Sequence, residues 1–522
     1  MGKIQETTIN RWDGGIVNDP RDPREATAQV VSNFDVLTDP YRMRPYRSAE
    51  DGNASQSTQR IQNFAIGKLD SSLNYALFGL GVTSGTTRAE VYYKNLTQAD
   101  LEDDTWDETA GNASTAGTST NFNLFVYYER TGKFYGARDG TNIWSYDAVN
   151  TTFVDTATAD TPAITYTQIT NGVVHSMDTI LYIGYYNSAN NTSAIASNTN
   201  GTWDITALTL PAGLRPRSLT EFGNFLAIAC EPVSGTTPGF GKSVVFLWDR
   251  DSSLPSETIY WSGDERLLVL NDVNGYLVGV SFAVGATRLD NRVVFRFLNG
   301  SNPTKIAEIV SSSSVSISLL DSKQTFNNRL HFYIGITLNE AFRVGVWSIG
   351  GSPENWTIIH ERTLNNDTAI TQSTLNMHGF LFAGDYLFQS YDVNSSTYTI
   401  SKTASTSSYA ATSIYESKIF NEGDASLKKQ LVGVTVMFEA LPTAGVVVLK
   451  YKKDEETSYT QIFSDGTDDA VSHSAVNIES SGARLPEYKE ISFRVESTGG
   501  AVITGLSWQS EVVGKRNYAS LK

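Results

Sequence analysis

The stretch Asn328-Arg329-Leu330-His331-Phe332-Tyr333-Ile334-Gly335 decides the fold. A turn residue opens it, an alternating apolar run follows, and a small residue ends it. That is the period of two expected of a strand after a tight turn. Similar phrases begin near Asn74 (Asn-Tyr-Ala-Leu-Phe-Gly-Leu), Gly132 (Gly-Lys-Phe-Tyr-Gly-Ala), Asp178 (Asp-Thr-Ile-Leu-Tyr-Ile-Gly), Gly223 (Gly-Asn-Phe-Leu-Ala-Ile-Ala), Gly275 (Gly-Tyr-Leu-Val-Gly-Val) and Gly379 (Gly-Phe-Leu-Phe-Ala-Gly). The copies are spaced by roughly 45–58 residues, the range of blade-type β-repeats.

A second phrase follows the first in several units: Ile143-Trp144-Ser145-Tyr146-Asp147, Val245-Phe246-Leu247-Trp248-Asp249 and Val344-Gly345-Val346-Trp347-Ser348. Each unit therefore holds at least two strands, and four strands with short hairpin loops fit in about 50 residues. The reading is an all-β chain with a β-propeller of about seven blades over residues 61–410. The competing architecture is an ordinary β-sandwich with turns at chance intervals; persistence of the spacing favours the propeller. Asn198-Thr199-Asn200-Gly201-Thr202-Trp203 and Ser352-Pro353-Glu354-Asn355-Trp356-Thr357 resemble imperfect Asp-box turns of sialidase-like propellers. In that family these turns are structural, so the resemblance speaks for the fold and not for catalysis.

The flanks differ from the repeats. Residues 1–60 are rich in turn formers and carry Arg11, Arg21, Arg24, Arg42, Arg44 and Arg47. They read as an extended N-terminal arm. Trp12, Arg21, Arg24, Arg42 and Arg44 are its candidate contact residues, since a cationic, aromatic-bearing arm suits an acidic neighbour. The alternative is that the arm packs on its own propeller. Thr403 to Ser408 reads as a linker, and residues 411–522 alternate as half-buried strands do, which predicts a small C-terminal β-sandwich.

Composition narrows the function classes. With 522 residues, 40% hydrophobic and 18% charged, the chain reads as folded, and its core is too large for one compact body unless built by repetition. A net charge of −16 disfavours direct gripping of nucleic acid. No apolar stretch is long enough for a membrane-spanning helix, and the first residues lack the apolar core of a signal peptide. Cys230, the single cysteine, lies in an apolar run and reads as a buried thiol.

No catalytic pattern stands out. The five histidines, His175, His331, His360, His378 and His473, show no metal-ligand spacing, and there is no G-x-S-x-G elbow. His331 and His378 read as structural. The acidic run Asp465-Gly466-Thr467-Asp468-Asp469 reads as a solvated turn in preference to a cation loop, because the EF-hand spacing and its closing Glu are missing. No cofactor, metal or catalytic residue is expected, and the chain is expected not to be an enzyme.

Two stretches carry a family resemblance. Gly14-Gly15-Ile16-Val17-Asn18, with Asn33-Phe34-Asp35-Val36 and Arg42-Met43-Arg44-Pro45, is similar to the start of virion and tail proteins of tailed bacteriophages. Tyr415 to Phe420, Phe493 to Thr498 and Ile503 to Leu506 resemble the terminal β-domain of such proteins. The whole order resembles the β-propeller tail-nozzle, or tail tubular protein B, family. The resemblance implies a structural ring protein of the virion tail, assembled in the bacterial host cytoplasm. Its partners would be copies of itself and adjoining tail or portal-proximal proteins. An acidic surface suits a DNA conduit, whose negative walls repel phosphates. The rival expectation is a glycan-binding or glycan-hydrolysing propeller of the virion, acting at the host surface.

Overall fold

The computed structural model describes the chain apart from residues 1–3, 18–20, 22–26, 53–58, 84–88, 113–123, 139, 234–241, 264, 284–290, 314, 319–320, 339–340, 365–374, 395–396, 406–407, 410–411 and 514–522. The architecture is all-β, as expected, and the one α-helix among the described residues is the single turn Gln98–Glu102. The chain forms two compact units. A sheet unit holds residues 49–346 and 364–403, and an interleaved unit holds 1–48, 347–363 and 404–522.

The sheet unit is a succession of antiparallel meanders, in which the long strands of each sheet pair with the next in sequence. The first comprises Gln59–Lys68, Tyr75–Thr83, Ala89–Asn95 and Asp107–Asn112. The second comprises Phe125–Tyr128, Lys133–Arg138, Asn142–Asp147 and Thr152–Val154. In the third, the short strands Gln168–Ile169 and Val173–Val174 share the first position before Leu181–Asn187, Thr192–Thr199 and Thr202–Leu210. The fourth runs Leu214–Phe222, Phe225–Pro232, Lys242–Trp248 and Glu257–Gly263, and the fifth Glu265–Val273, Tyr276–Ala283, Arg292–Asn299 and Asn302–Val310. The sixth begins with Ser316–Ile317 and Lys323–Phe326, continues with Arg329–Leu338, and enters Ala341–Ser352, within which the chain leaves the unit after Val346. The seventh is Asn376–Ala383, Tyr386–Asn394 and Thr397–Thr403, with Ala49–Asp51 in its fourth position.

The repeated phrase falls on the second strand in the first six sheets, after a turn that needs positive φ. Gly132 (φ 70°), Asn274 and Gly275 (55° and 82°), and Asn327 and Asn328 (50° and 58°) supply it. The seventh copy is out of step. Gly379 lies inside the first strand, where a Cβ would stand 2.8 Å from the Gln62 carbonyl, so this glycine serves a close backbone approach. The equivalent turn glycine is Gly384 (φ 60°). Phe380 and Phe382 therefore sit on a first strand, whereas Phe225, Leu226, Leu330 and Phe332 sit on second strands.

Neighbouring sheets share apolar layers. Phe78 and Phe134 join the first and second, Ile183 and Tyr135 the third and second, and Trp248 and Tyr182 the fourth and third. Ala227, Leu267 and Leu277 lie in one core between the fourth and fifth. Phe295 meets Phe332 at 5.8 Å between the fifth and sixth, and Tyr333 and Phe380 share a core between the sixth and seventh. The succession also returns on itself: Ile61, Phe64, Leu77 and Trp106 of the first sheet pack with Phe388 and Ile400 of the seventh.

The interleaved unit corrects the expected segmentation into 1–60, 61–410 and 411–522. Residues 1–48 are not a separate arm; they supply strands to the C-terminal sheets. Ile4–Ile9 pairs with Ile503–Val512, which continues to Lys429–Phe438 and Ser472–Val476. Ala28–Ser32 lies between Asn355–Thr363, to which it is parallel, and Ser413–Ser417, beyond which come Ile491–Thr498, Val446–Lys453 and Thr460–Asp465. The turn formers and arginines of 1–60 made it look like an extended arm. Its strand partners lie some hundreds of residues away, a separation no local pattern registers.

Candidate functional site

The expected arm residues have these places. Trp12 is fully buried, edge-on to Tyr415 with ring centroids 4.9 Å apart. Arg21 makes a two-pronged bond to Glu490, Nε to Oε1 at 3.0 Å and Nη2 to Oε2 at 2.8 Å. Arg42 reaches Glu439 (2.6 Å) and Asp39 (3.3 Å). Arg44 is exposed, its backbone opposite Asp35. Arg24 lies outside the described residues. The residues are thus not brought to one site, and Trp12, Arg21 and Arg42 engage their own chain.

The phrases that carried the family resemblance turn out to be a clasp. Gly15 (φ +71°) sits where a Cβ would stand 2.8 Å from the Ile358 nitrogen, and Ile16 N–H donates to Ile358 O at 3.0 Å. Asn33, itself left-handed (φ 60°), accepts from Thr363 N–H through Oδ1 (3.1 Å) and donates from Nδ2 to Thr412 O (3.2 Å). Asp35 caps the following turn by accepting from the N–H groups of Leu37 and Thr38, both at 3.0 Å. One short segment thereby ties 355–363 to 404–417.

Within the sheet unit, polar groups converge along the first strands of the fourth, fifth and sixth sheets. The Lys323 ammonium donates to Ser218 Oγ, to Leu219 O (2.5 Å) and to Leu270 O (2.8 Å). Burial pushes the Lys323 pKa down and that of Asp321, 3.6 Å away, up. Arg217 Nη2 donates to Ser318 O at 2.9 Å. Further along, Thr220, Asn271 and Thr325 form a relay with 2.5 Å links. At the ends of the same strands stand Glu221 and Asp272. Burial raises the Asp272 pKa, the Gly275 N–H bond lowers it, and the Glu221 charge raises it again. Glu221 accepts from Ser176 N–H at 3.0 Å, and Arg250 Nε lies 3.0 Å from Asp178 Oδ2.

A third cluster lies where the first and seventh sheets meet. Lys402, with a fully buried side chain, donates to Glu102 O and pairs with Asp104 at 2.9 Å. Lys94 donates to Asp103 O (2.7 Å) and Asp100 O (3.2 Å), and its ammonium stands 5.4 Å from the Trp106 ring centroid. Burial first, and the Lys402 charge second, bring the Lys94 pKa down to about 8. The helix Gln98–Glu102 thus presents its last carbonyls to two lysines, the favourable end for cations. Sequence reading passed over this cluster. Its signal was Lys94 two residues after Tyr92, a charge at a core-facing strand position.

The histidines are all engaged structurally. His360 Nδ1 is 2.8 Å from Ser32 Oγ, His331 packs 4.6 Å from the Phe382 ring, and His378 Nε2 is 2.9 Å from Asp392. His175 Nε2 is 3.2 Å from Phe225 O, and His473 bonds Asp465 at 2.9 Å. Among the described residues no three His, Cys, Asp or Glu side chains converge as a metal site. No described helix is long and apolar enough to cross a membrane.

No family model and no curated protein matches the chain. Among solved structures it is similar to an exo-β-1,3-galactanase from Phanerochaete chrysosporium with galactose, at 8% identity and a TM-score of 0.31, covering 89% of this chain and 100% of that one. Two variants of that galactanase with β-1,3-galactotriose match at 8% identity and a TM-score of 0.30. The expectation that the chain is not an enzyme is not upheld, the matched structures being exo-β-1,3-galactanases, and the likeness by itself assigns no activity to this chain. At this level of similarity no residue and no reaction is carried over from them.

Proposed function

We propose that the chain is a virion protein of a tailed bacteriophage, a seven-bladed β-propeller joined to a β-sandwich through which it assembles with its neighbours. One observation carries the reading. The two stretches that resemble phage virion proteins, far apart in sequence, meet in one unit: the backbones of Met43 and Ile503 exchange hydrogen bonds at 2.9 and 3.1 Å. A resemblance at both ends is therefore a resemblance in one folded body. The propeller is supported by the sequential meanders, by Ala49–Asp51 completing the seventh sheet, and by the core shared between seventh and first. Mass spectrometry of purified particles tests the proposal. Several copies per particle are expected, and absence from the particle overturns it.

A second role for the same virion protein is glycan cleavage by the propeller. It is favoured by Asp272, a carboxyl held above its ordinary range beside the Glu221 carboxylate at the strand ends. A carboxyl with a raised pKa near a second carboxylate is the pairing that acid–base hydrolysis of a glycosidic bond uses. Turnover of host surface polysaccharide, lost in Asp272→Asn and Glu221→Gln, is the expected result. Turnover unchanged in both variants, or none in the unmodified chain, removes this role and leaves the virion assignment standing.

A further inference from the structure

We propose that the five-stranded sheet of the interleaved unit, in which Glu487–Tyr488 pairs with Lys429–Phe438 beside Ser472–Val476, continues into a second copy of this chain, with Ile4–Ile9 of one copy pairing antiparallel to Ser472–Val476 of the next. The inference deepens the assembly reading and rests on it only for the purpose that the contact serves.

The sheet has two ends. In the order Ile4–Ile9, Ile503–Val512, Lys429–Phe438, Ser472–Val476, the first and last strands each have one partner among the described residues. All three pairings are antiparallel. The four alternating strands along this path leave its two edges running in opposite directions. A second copy added in the same orientation therefore meets its neighbour in an antiparallel ladder.

The side chains agree with that continuation. Glu6, Gln509, Gly433 and Val476 lie in one row across the sheet, and Thr8, Ser507, Thr435 and Ser474 in the next. The hydroxyls of Thr435 and Ser474 are 2.8 Å apart. Ile4, two residues before Glu6, is on the same face as Val476. Both are exposed, at 55% and 61%. Setting Ile4 opposite Val476 places Glu6 opposite Ser474 and Thr8 opposite Ser472, burying the two apolar side chains against each other.

The Ser472–Val476 edge also lacks the usual protection. From Val471 to Val476 it holds no Lys, no Arg and no Pro, and Val471 is 60% exposed. Isolated edges are blunted by such residues, and an unblunted edge is one that pairs. Its occupant is a second copy, because the complementary edge, with matching direction, face and apolar residue, belongs to the same sheet. The contact is head-to-tail, which builds a ring where the rotation closes.

Cross-linking tests the pairing. Opposed residues of an antiparallel pair have Cβ atoms about 4.5–5.5 Å apart, so cysteines at Ile4 and Val476 would meet across copies. The chain's own Cys230 is buried. Under mild oxidation the full chain carrying Ile4→Cys and Val476→Cys should give a ladder of multimers, and a mixture of the two single variants should give dimers only. A single variant that dimerises by itself overturns the proposal in favour of a two-fold contact. In light scattering, Ile4→Lys and Val476→Lys should each reduce the oligomer to monomer mass, and Ile4→Glu with Val476→Lys should restore it. An unmodified chain that stays monomeric, or an oligomer that both lysine variants leave intact, also overturns it. Particle incorporation is read separately: a chain absent from particles yet self-associating through these edges refutes the virion reading and leaves this inference standing.

Discussion

The seam between the first and seventh sheets and the clasp of the interleaved unit solve the same problem by different means. Each joins stretches that are distant in the chain. The seam does so with volume: Ile61, Phe64, Trp106, Phe388 and Ile400 form a shared core, and the lysines and the helix end surround it. The clasp does so with backbone: Gly15 and Asn33 hold left-handed conformations, and Ile16 and Asn33 bond directly to the strand 355–363. A junction made of volume tolerates change in shape if apolar area is kept. A junction made of backbone conformation tolerates very little, because the alternatives are sterically forbidden.

Truncation at the seam should have the largest effect. Phe388→Ala removes a fully buried ring, and such changes cost about 3–5 kcal/mol. Denaturant unfolding should show that loss, with Phe388→Leu recovering most of it. A clasp-like sensitivity to Phe388→Leu would erase the contrast between the two junctions.

Gly15→Ala comes next. The left-handed backbone costs about 1–2 kcal/mol and the contact with Ile358 N about 1–3 more. The loss should appear in the transition of the interleaved unit. If the sheet unit's transition moves by the same amount, the two units unfold as one cooperative body and the comparison must be redrawn.

Asn33→Ala should cost about 2–4 kcal/mol, two net hydrogen bonds together with the left-handed residue. Asn33→Gly keeps the conformation and loses only the bonds. Its smaller deficit, read from the shift in denaturant midpoint, separates the two contributions.

The last effect is a slope. The Lys94 pKa is about 8 in the fold against an ordinary 10.5, so between these values the unfolded chain carries a proton the folded chain lacks. Stability therefore rises with pH through that window, as the penalty for burying the charge is lifted. The unmodified chain should gain on Lys94→Met as pH climbs from about 8 towards 10. A difference independent of pH would mean that the ammonium stays fully solvated.

Legibility followed the same division. The sheets could be read because the long strands of each pair with the next in sequence, so one phrase, repeated, stated the arrangement from Tyr75–Thr83 to Arg329–Leu338. The reading slipped at Gly379, where a glycine needed for close packing imitates one needed for a turn. The interleaved unit was legible only as strands. Trp12 and Arg21 carry no local sign that Tyr415 and Glu490 receive them. The polar clusters went unread because a buried lysine such as Lys402 differs from a surface one only in its partners, which come from another sheet.

The interleaving sets a timetable. Ile4–Ile9 leaves the ribosome roughly 500 residues before its partner Ile503–Val512. At ~5–20 residues per second the wait is about 25–100 s, during which the early strand has nothing to pair with. The sheet unit can fold in that interval, since its strands arrive in order. The edge formed by Ile4–Ile9 exists only once residues 503–512 have been made. A nascent or interrupted chain therefore offers no such edge, and translation itself holds incomplete copies out of any assembly that this edge builds.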